Sequence, residues 1–252
     1  MGPVTRVARA TSPVVPHGGI IGAMERFLDD SLRAQLAEAF AVLDRDVEMV
    51  VYTSGRLVLP GQEPAGEEKA TLALLREVAD TSERLEVVER SLTADPAIRE
   101  RGIVRSPTIV LRERGSERDN LRFVGMPAGY EFQTLVEALR MVGTGETGLG
   151  EESTARIAVL DAPVRLQAFV TPTCPHCPRA VLSAYRLALT NPQVVAEGVE
   201  ASEFPALAQR YRISGVPDTI IDGPGGQERV LGGQPDRVFV DAVMKVAGVA
   251  AA

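Results

Sequence analysis

The residues in this sequence that are best suited to chemistry are its only two cysteines, Cys174 and Cys177. Pro175 and His176 separate them, which gives the motif Cys-Pro-His-Cys. A disulfide across so short a loop constrains the unfolded chain very little, and a secreted disulfide scaffold would contain more cysteines. We therefore interpret the pair as a redox dithiol that forms and breaks its own disulfide.

The segments on either side of the cysteines predict where the pair lies. Residues 164–170 alternate in polarity and are rich in β-forming side chains, which predicts a strand. Residues 171–173 are typical of a turn, and residues 178–189 predict a helix. The cysteines are thus expected between the end of a strand and the first turn of a helix.

This location predicts different reactivities for the two thiols. Unpaired backbone N–H groups and the helix dipole favour a thiolate at Cys174, which lowers its pKa below the free value of about 8.5. Cys177 is expected to be more shielded, so Cys174 is predicted to attack and Cys177 to resolve. Pro175 suits the helix start, and His176 is predicted to stabilise the thiolate through its imidazolium or N–H group.

The second half of the chain alternates between strands and helices. After the first strand and helix, the predicted elements are a strand at 193–199, a helix at 202–211 capped by Ser202, strands at 218–221 and 228–231, and a helix at 236–247. Val216-Pro217 directly precedes the third strand of this β-α-β-α-β-β-α order. With the cysteine motif after its first strand, the half from residue 151 to 252 resembles a thioredoxin-fold domain.

A wider resemblance covers most of the chain. Through the segments 123–132 and 169–178, residues 24 to 252 resemble the two-domain protein disulfide oxidoreductases, which are glutaredoxin-like proteins built from two fused thioredoxin folds. The resemblance implies an α/β fold with two tandem thioredoxin-like domains, each a central mixed sheet flanked by helices. It also implies a cis-proline at Pro217 that shapes the substrate groove, together with Val216 and Pro175, and keeps metal away from the sulfurs.

The resemblance also implies a reaction and partners. Protein disulfides would be the substrates, a flavoprotein reductase of the thioredoxin reductase type or a small thiol would supply electrons, and a peroxiredoxin would be a further acceptor. Many thioredoxins place a buried acid six residues before the first cysteine, where this chain has Ala168. The proton acceptor for Cys177 is therefore left open between Glu200 and water.

The first half of the chain repeats the pattern of the second half. Its predicted elements are helices at 24–43, 67–79 and 131–142 and one after Asp95-Pro96, with strands at 47–52, 85–89, 108–111 and 121–125. Ser106-Pro107 corresponds to Val216-Pro217 at an offset of 110 residues. This duplication predicts a loose tail at 1–23, a domain at 24–142, a linker at 143–150 and a second domain at 151–252.

The first copy has no cysteines where the second has its motif. Thr53 and Pro107 are 54 residues apart, whereas Thr171 and Pro217 are 46 apart, which predicts an insertion at the lost site. This copy is expected to be redox-silent. The arrangement resembles the N-terminal module of the flavoprotein component of alkyl hydroperoxide reductase, in which only the second fold is active.

Composition excludes several classes of function. The 252 residues carry a net charge of −7 without a basic cluster, so nucleic acid is not an expected partner. No apolar run approaches the ~18 residues of a membrane helix, and the first twenty residues lack a secretory apolar core. These features predict a cytoplasmic protein with no membrane partner, in which His17 is a solvated tail residue. Since no glycine-rich nucleotide fingerprint is found, no cofactor is expected.

Two other functions remain open from the sequence. The tandem grooves could bind peptides without redox chemistry, as a holdase. The two thiolates with His176 and His17 could also bind a metal, although a structural zinc site needs four ligands, so no metal site is predicted.

Overall fold

The computed structural model describes residues 26–55, 66–94 and 96–248. The predicted tail at 1–23 and His17 lie outside these residues. The helices of the described part are α1 (Asp30–Phe40), α2 (Gly66–Ala79), α3 (Pro96–Glu100), α4 (Tyr130–Thr144), α5 (Glu151–Ala158), α6 (Cys177–Thr190), α7 (Pro205–Arg210) and α8 (Asp236–Val246). Its strands are β1 (Val47–Thr53), β2 (Leu85–Ser91), β3 (Thr108–Glu113), β4 (Leu121–Val124), β5 (Val164–Val170), β6 (Val194–Glu200), β7 (Asp218–Gly223) and β8 (Gly226–Leu231).

All of these strands belong to one mixed sheet with the order β2-β1-β3-β4-β6-β5-β7-β8. Each half contributes four neighbouring strands in the same internal order. In each half the first two strands pair in parallel, the third pairs antiparallel with the first, and the fourth pairs antiparallel with the third. The expected mixed sheet flanked by helices is confirmed, and the two four-stranded halves are joined edge to edge by parallel pairing of β4 with β6.

Polar side chains hold this junction between the halves. The Asn120 amide donates hydrogen bonds to the carbonyl oxygens of Ala188 and Val194 at 2.7 and 3.0 Å. Arg122 on β4 lies 3.3 Å from the carboxylate of Glu197 on β6, and both side chains are almost completely buried. Because a buried charge is tolerated only when it is paired, this ion pair ties the register of β4 to that of β6.

The sheet buries apolar side chains on both of its faces. Central strands such as β1 are buried over nearly their whole length, so their sequences appear as continuous apolar runs. The largest core cluster packs α1, α2, α4, α5, α6 and α8 against one face. On the other face, α3 covers the first half through Ile98 and α7 covers the second half through Leu207.

The first helix is shorter than the predicted 24–43. It begins at Asp30 because the Asp29 side chain accepts the N–H of Leu32 at 2.8 Å and caps the helix. Before the cap, the N–H groups of Phe27 and Leu28 donate to the Glu77 carboxylate, both at 3.0 Å, instead of continuing the helix. The predicted start of this helix was wrong because the periodicity of apolar residues does not show which polar residue caps the helix.

Two further differences concern the second half. The helix predicted at 202–211 begins at Pro205, where a missing N–H suits the first turn, so Ser202 is not its cap. A helix that the sequence reasoning did not predict, α5, packs against α6 and α8. In addition, α4 continues through Gly143 and Thr144, two residues into the segment predicted as a linker.

Candidate functional site

The two cysteines form a disulfide at the start of α6, with their Cα atoms 5.5 Å apart. Cys177 is the first residue of the helix and is completely buried, while Cys174 lies three residues earlier and retains 9 % of its accessible surface. The predicted location is confirmed. Cys174 is thus the more accessible of the two cysteines.

The residue pair that precedes β7 faces the disulfide. The Val216–Pro217 peptide bond is cis, and the sulfur of Cys174 lies 3.7 Å from the Val216 carbonyl oxygen. The structure therefore brings Val216 and Pro217 together with the cysteines. Pro217 itself is buried, whereas Val216 is partly accessible at the edge of the site.

Pro175 and His176, the residues between the sulfurs, are exposed. His176 occupies the N-cap position of α6, but its side chain does not accept a capping hydrogen bond. The loop after β8 lies against the backbone of His176, since a Cβ atom at Gly233 would be 2.9 Å from the His176 carbonyl oxygen. Sequence reasoning missed Gly233, whose only signal is a Gly-Gly pair after the last strand.

The first half also reaches the site, through the start of α4. The N–H of Tyr130 donates to the Pro172 carbonyl oxygen at 2.9 Å, only two residues before Cys174. Gly129 has a φ of 59°, and a Cβ at this position would overlap the same carbonyl oxygen. The turn that carries the cysteines is thus hydrogen-bonded to the first half of the molecule and packs closely against it.

A buried carboxyl group, Glu131, lies in the first turn of α4. It is 1 % exposed, and neither oxygen has a hydrogen-bond partner of normal geometry among the described residues. Burial raises the pKa of Glu131 to about 7, although the nearby Thr134 hydroxyl opposes the rise. The charge of Glu131 also contributes to the raised pKa of Tyr185 on α6, the helix that packs against α4, after the larger effect of burial.

Glu200, the proton acceptor suggested from the sequence, is buried at the end of β6. One of its oxygens accepts the Glu203 N–H at 2.5 Å, and the other has no partner among the described residues. Burial raises the pKa of Glu203, while the hydrogen bond from the Met126 N–H lowers it.

Sequence reasoning missed Glu131 because an acidic residue in the first turn of a helix is common for electrostatic reasons alone.

The corresponding place in the first half holds a carboxylate instead of sulfur. Glu68, buried in the first turn of α2, accepts the backbone N–H of Ser54 at 3.0 Å. It also accepts the hydroxyl of Ser106, which precedes the cis-proline Pro107. The predicted insertion falls largely on residues 56–65, outside the described part of the chain.

Neither a metal cluster nor a membrane helix is found in the described part of the chain. Its residues contain no group of three or more histidine, cysteine, aspartate or glutamate side chains arranged to hold a metal ion. Nor do they contain a helix that is long and apolar enough to cross a membrane.

Comparison with known proteins agrees with this geometry. Residues 164–245 match the thioredoxin domain family. The chain is 26 % identical over 196 residues to the alkyl hydroperoxide reductase protein AhpF of Staphylococcus epidermidis, a match that covers 78 % of the chain and 34 % of that relative. It is 23 % identical over 199 residues to an NADH dehydrogenase of Bacillus subtilis, with the same coverages. The chain thus spans about a third of the length of these relatives.

Solved structures show the same fold over most of the chain. The NTD_N/C domain of alkyl hydroperoxide reductase AhpF from Enterococcus faecalis is 27 % identical with a TM-score of 0.76, and the match covers 86 % of this chain and all of that one. A protein disulfide oxidoreductase from Aeropyrum pernix is 26 % identical with a TM-score of 0.74, covering 87 % of this chain and 94 % of that one. The predicted resemblance to tandem thioredoxin-fold disulfide oxidoreductases is confirmed.

Proposed function

We propose that this chain is a thiol-disulfide oxidoreductase that reduces protein disulfides with the Cys174–Cys177 dithiol. The observation that carries the proposal is the disulfide itself, which joins a slightly exposed residue, Cys174, to the completely buried Cys177 at the start of α6, against Val216–Pro217. This arrangement offers an attacking thiol and a resolving thiol, which is what two-step disulfide exchange requires. The two solved relatives that carry the same fold support it.

The first step is attack on the substrate by the reduced protein. The Cys174 thiolate forms a bond to one substrate sulfur, and the other substrate sulfur leaves as a thiolate. The N–H groups at the start of α6 stabilise the attacking thiolate, and we propose that the exposed His176, two residues along the chain, stabilises it further. The exposed edge formed by Val216 borders the mixed disulfide.

The second step releases the reduced substrate. Cys177 loses its proton and attacks the sulfur of Cys174, which expels the second substrate thiolate and leaves the protein oxidised by two electrons. We propose that Glu131 accepts this proton: it follows Tyr130, whose N–H donates to the Pro172 carbonyl oxygen two residues before Cys174, and a carboxyl group with a pKa of about 7 is matched to proton transfer at neutral pH. Among the described residues, neither oxygen of Glu131 has a hydrogen-bond partner of normal geometry, whereas one oxygen of Glu200 accepts the Glu203 N–H.

Electrons must then return to the Cys174–Cys177 disulfide. We propose a flavoprotein reductase or a small thiol as the donor and a peroxiredoxin among the acceptors, which the similarity to alkyl hydroperoxide reductase AhpF supports. A reducing compartment would keep the dithiol available, so we propose the cytoplasm as its location. We further propose the divisions 24–142 and 151–252 as the two thioredoxin-like domains, each with the same strand order.

Reduction of insulin by a thiol reductant tests the proposed function. The full chain should accelerate the appearance of reduced insulin chains, and the couple should titrate against glutathione at a potential between those of thioredoxin and a periplasmic oxidant. A chain that prevents aggregation of an unfolded protein but does not accelerate reduction would be a holdase. A potential above about −150 mV would contradict the reductase direction, because strong oxidants lie near −120 mV.

A further inference from the structure

An apolar groove of about 660 Å³ lies beside the redox site, between α1 and α4 of the first half. Leu36 and Ala39 line it from α1, and Phe132 and Val136 line it from α4. Residues 172–173 of the turn before the disulfide also line it. The groove therefore combines residues of the first half with two residues of the second.

The groove reaches the residue next to Cys174. Thr173 is bonded directly to Cys174, and neighbouring Cα atoms in a chain are about 3.8 Å apart. An extended peptide advances ~3.3 Å per residue, so a substrate joined to Cys174 would need only a few residues to enter the groove. The hydrogen bond from the Tyr130 N–H to the Pro172 oxygen holds the two parts together.

The chemistry of the lining restricts what the groove would bind. Among the described residues that form it, none is charged, although the whole chain carries a net charge of −7. The exposed amides of Gln35 and Gln133 stand on opposite walls and could hydrogen-bond a peptide backbone. Open apolar surfaces of this kind on soluble proteins commonly mark binding sites.

We propose that this α1–α4 groove binds an apolar segment of the protein substrate, a few residues from the disulfide that Cys174 attacks. The inference rests on the proposed function and names its substrate class: protein disulfides that are flanked by large apolar residues. A second copy of the chain seated in the groove would cover Thr173 and hinder access to Cys174, which argues against that occupant. The redox-silent half thereby supplies substrate recognition for the active half.

A pair of synthetic peptides tests the groove directly. Both contain one disulfide, flanked on each side by leucine and phenylalanine in the first peptide and by serine and glycine in the second. The wild-type chain should have a kcat/KM about tenfold higher for the apolar peptide, mainly through KM. Ala39→Trp, which fills the groove, should abolish this preference.

Ala37→Trp is the matched control, because Ala37 is an exposed residue of α1 that does not line the groove. It should retain the preference for the apolar peptide. Bis(hydroxyethyl) disulfide, which is too small to reach the groove, should be reduced at the same rate by both variants and by the wild-type chain. Failure of the wild-type chain to reduce this small disulfide would contradict the proposed function rather than the groove.

Other results would overturn the proposal. Equal kcat/KM for the two peptides in the wild-type chain would show that the groove does not select substrates. Slower reduction of the small disulfide by Ala39→Trp would show that the groove is structural. A wild-type dimer in sedimentation that Ala39→Trp converts to a monomer would identify a second copy as the occupant. If deletion of residues 1–25 creates the preference, the chain's own N-terminal segment is the occupant.

Discussion

The two halves of the molecule have the same strand order but different groups at the place where a thioredoxin fold reacts. In the second half, the sulfur of Cys174 lies against the Val216 carbonyl oxygen, beside the cis-proline. In the first half, the carboxylate of Glu68 binds the Ser106 hydroxyl beside the other cis-proline. One site holds a bond that can be exchanged, and the other holds a fixed hydrogen-bonded network.

This difference shows that the fold alone does not provide the chemistry. The first half retains the helix start and the cis-proline, but a carboxylate held by two donors has no exchangeable bond. Its contribution to function lies elsewhere, in the α4 residues that reach the redox site and in the α1–α4 groove. The comparison therefore predicts that changes near the cysteines alter disulfide reduction. Changes at Glu68 should instead alter the free energy of unfolding and leave the Cys174–Cys177 potential unchanged.

The largest effect is expected from removing the thiols. Because the chain has only two cysteines, the Cys174→Ser/Cys177→Ser variant should reduce insulin no faster than the reductant alone, which is a loss of roughly a hundredfold or more. Cys174→Ser alone should be equally inactive, since it removes the attacking group. Measurable turnover in the double variant would mean that the first half is not redox-silent.

A large effect on stability is expected at Glu131. Its pKa is raised from an unfolded value of 4.5 to about 7, so the folded state holds this proton more tightly than the unfolded state. Its stabilising effect is complete below pH 4.5 and is lost as the pH rises to about 7, in total about 3 kcal/mol. Between pH 4 and pH 8, Glu131→Gln should therefore gain about this amount relative to the wild-type chain in urea unfolding.

Glu137→Gln serves as the control for this measurement, because Glu137 lies on the same helix and its side chain is 40 % exposed. Its stability relative to the wild-type chain should change little between the same two pH values. In addition, Glu131→Gln should slow the resolving step above neutral pH and leave the attack of Cys174 unchanged. A parallel pH dependence of unfolding in the wild-type chain and Glu131→Gln would contradict the assignment.

A smaller effect on stability is expected at the silent site. Glu68→Ala leaves the Ser54 N–H without its acceptor and leaves the Ser106 hydroxyl only the Tyr52 carbonyl oxygen at 3.4 Å, which should destabilise the chain by about 2 kcal/mol. The neighbouring exposed residue provides a control, since Glu67→Ala should change the unfolding free energy by no more than ~0.5 kcal/mol. The Cys174–Cys177 potential should be unchanged in Glu68→Ala, and a shift in that potential would show that the two sites are coupled.

The smallest effect is expected at His176. Replacement by alanine removes a group that stabilises the Cys174 thiolate, so the couple should become more reducing by up to ~30 mV in a glutathione titration. The thiol should also react more slowly with iodoacetamide at pH 6. His176→Gln keeps a side-chain N–H donor that cannot carry a positive charge. In both measurements it should give a value between those of the wild-type chain and His176→Ala. No change in either measurement for His176→Ala would remove this residue from the mechanism.

The redox site and the element order could be predicted from the sequence because their signals are local. The cysteine spacing, the strand before it and the helix after it lie within one short segment, and Val216-Pro217 has a repeated counterpart in Ser106-Pro107. The short helix α5 was missed because its apolar contribution to the core is mainly Ile157. A helix cap such as Asp29 depends on which side chain accepts a backbone N–H of the first turn, and the periodicity of apolar residues does not show this.

The remaining features depend on contacts between distant residues. Pairing of β4 with β6 requires two strand edges to meet, and it is stabilised by the Arg122–Glu197 pair, which is 75 residues apart in the chain. In the sequence, Glu131 is an ordinary acidic residue at the start of a helix. Its pKa is raised only because the fold buries it. The groove likewise exists only once α1, α4 and residues 172–173 are brought together.

Trapping of a mixed disulfide tests the central claim most directly. The full-length Cys177→Ser variant can attack but not resolve, so after reaction with a disulfide-containing peptide it should carry one peptide by mass spectrometry, attached to Cys174. The Cys174→Ser variant, whose remaining thiol is completely buried, should carry little or none under the same conditions. Equal labelling of the two variants, or an adduct only on Cys177, would contradict the assignment of Cys174 as the attacking thiol.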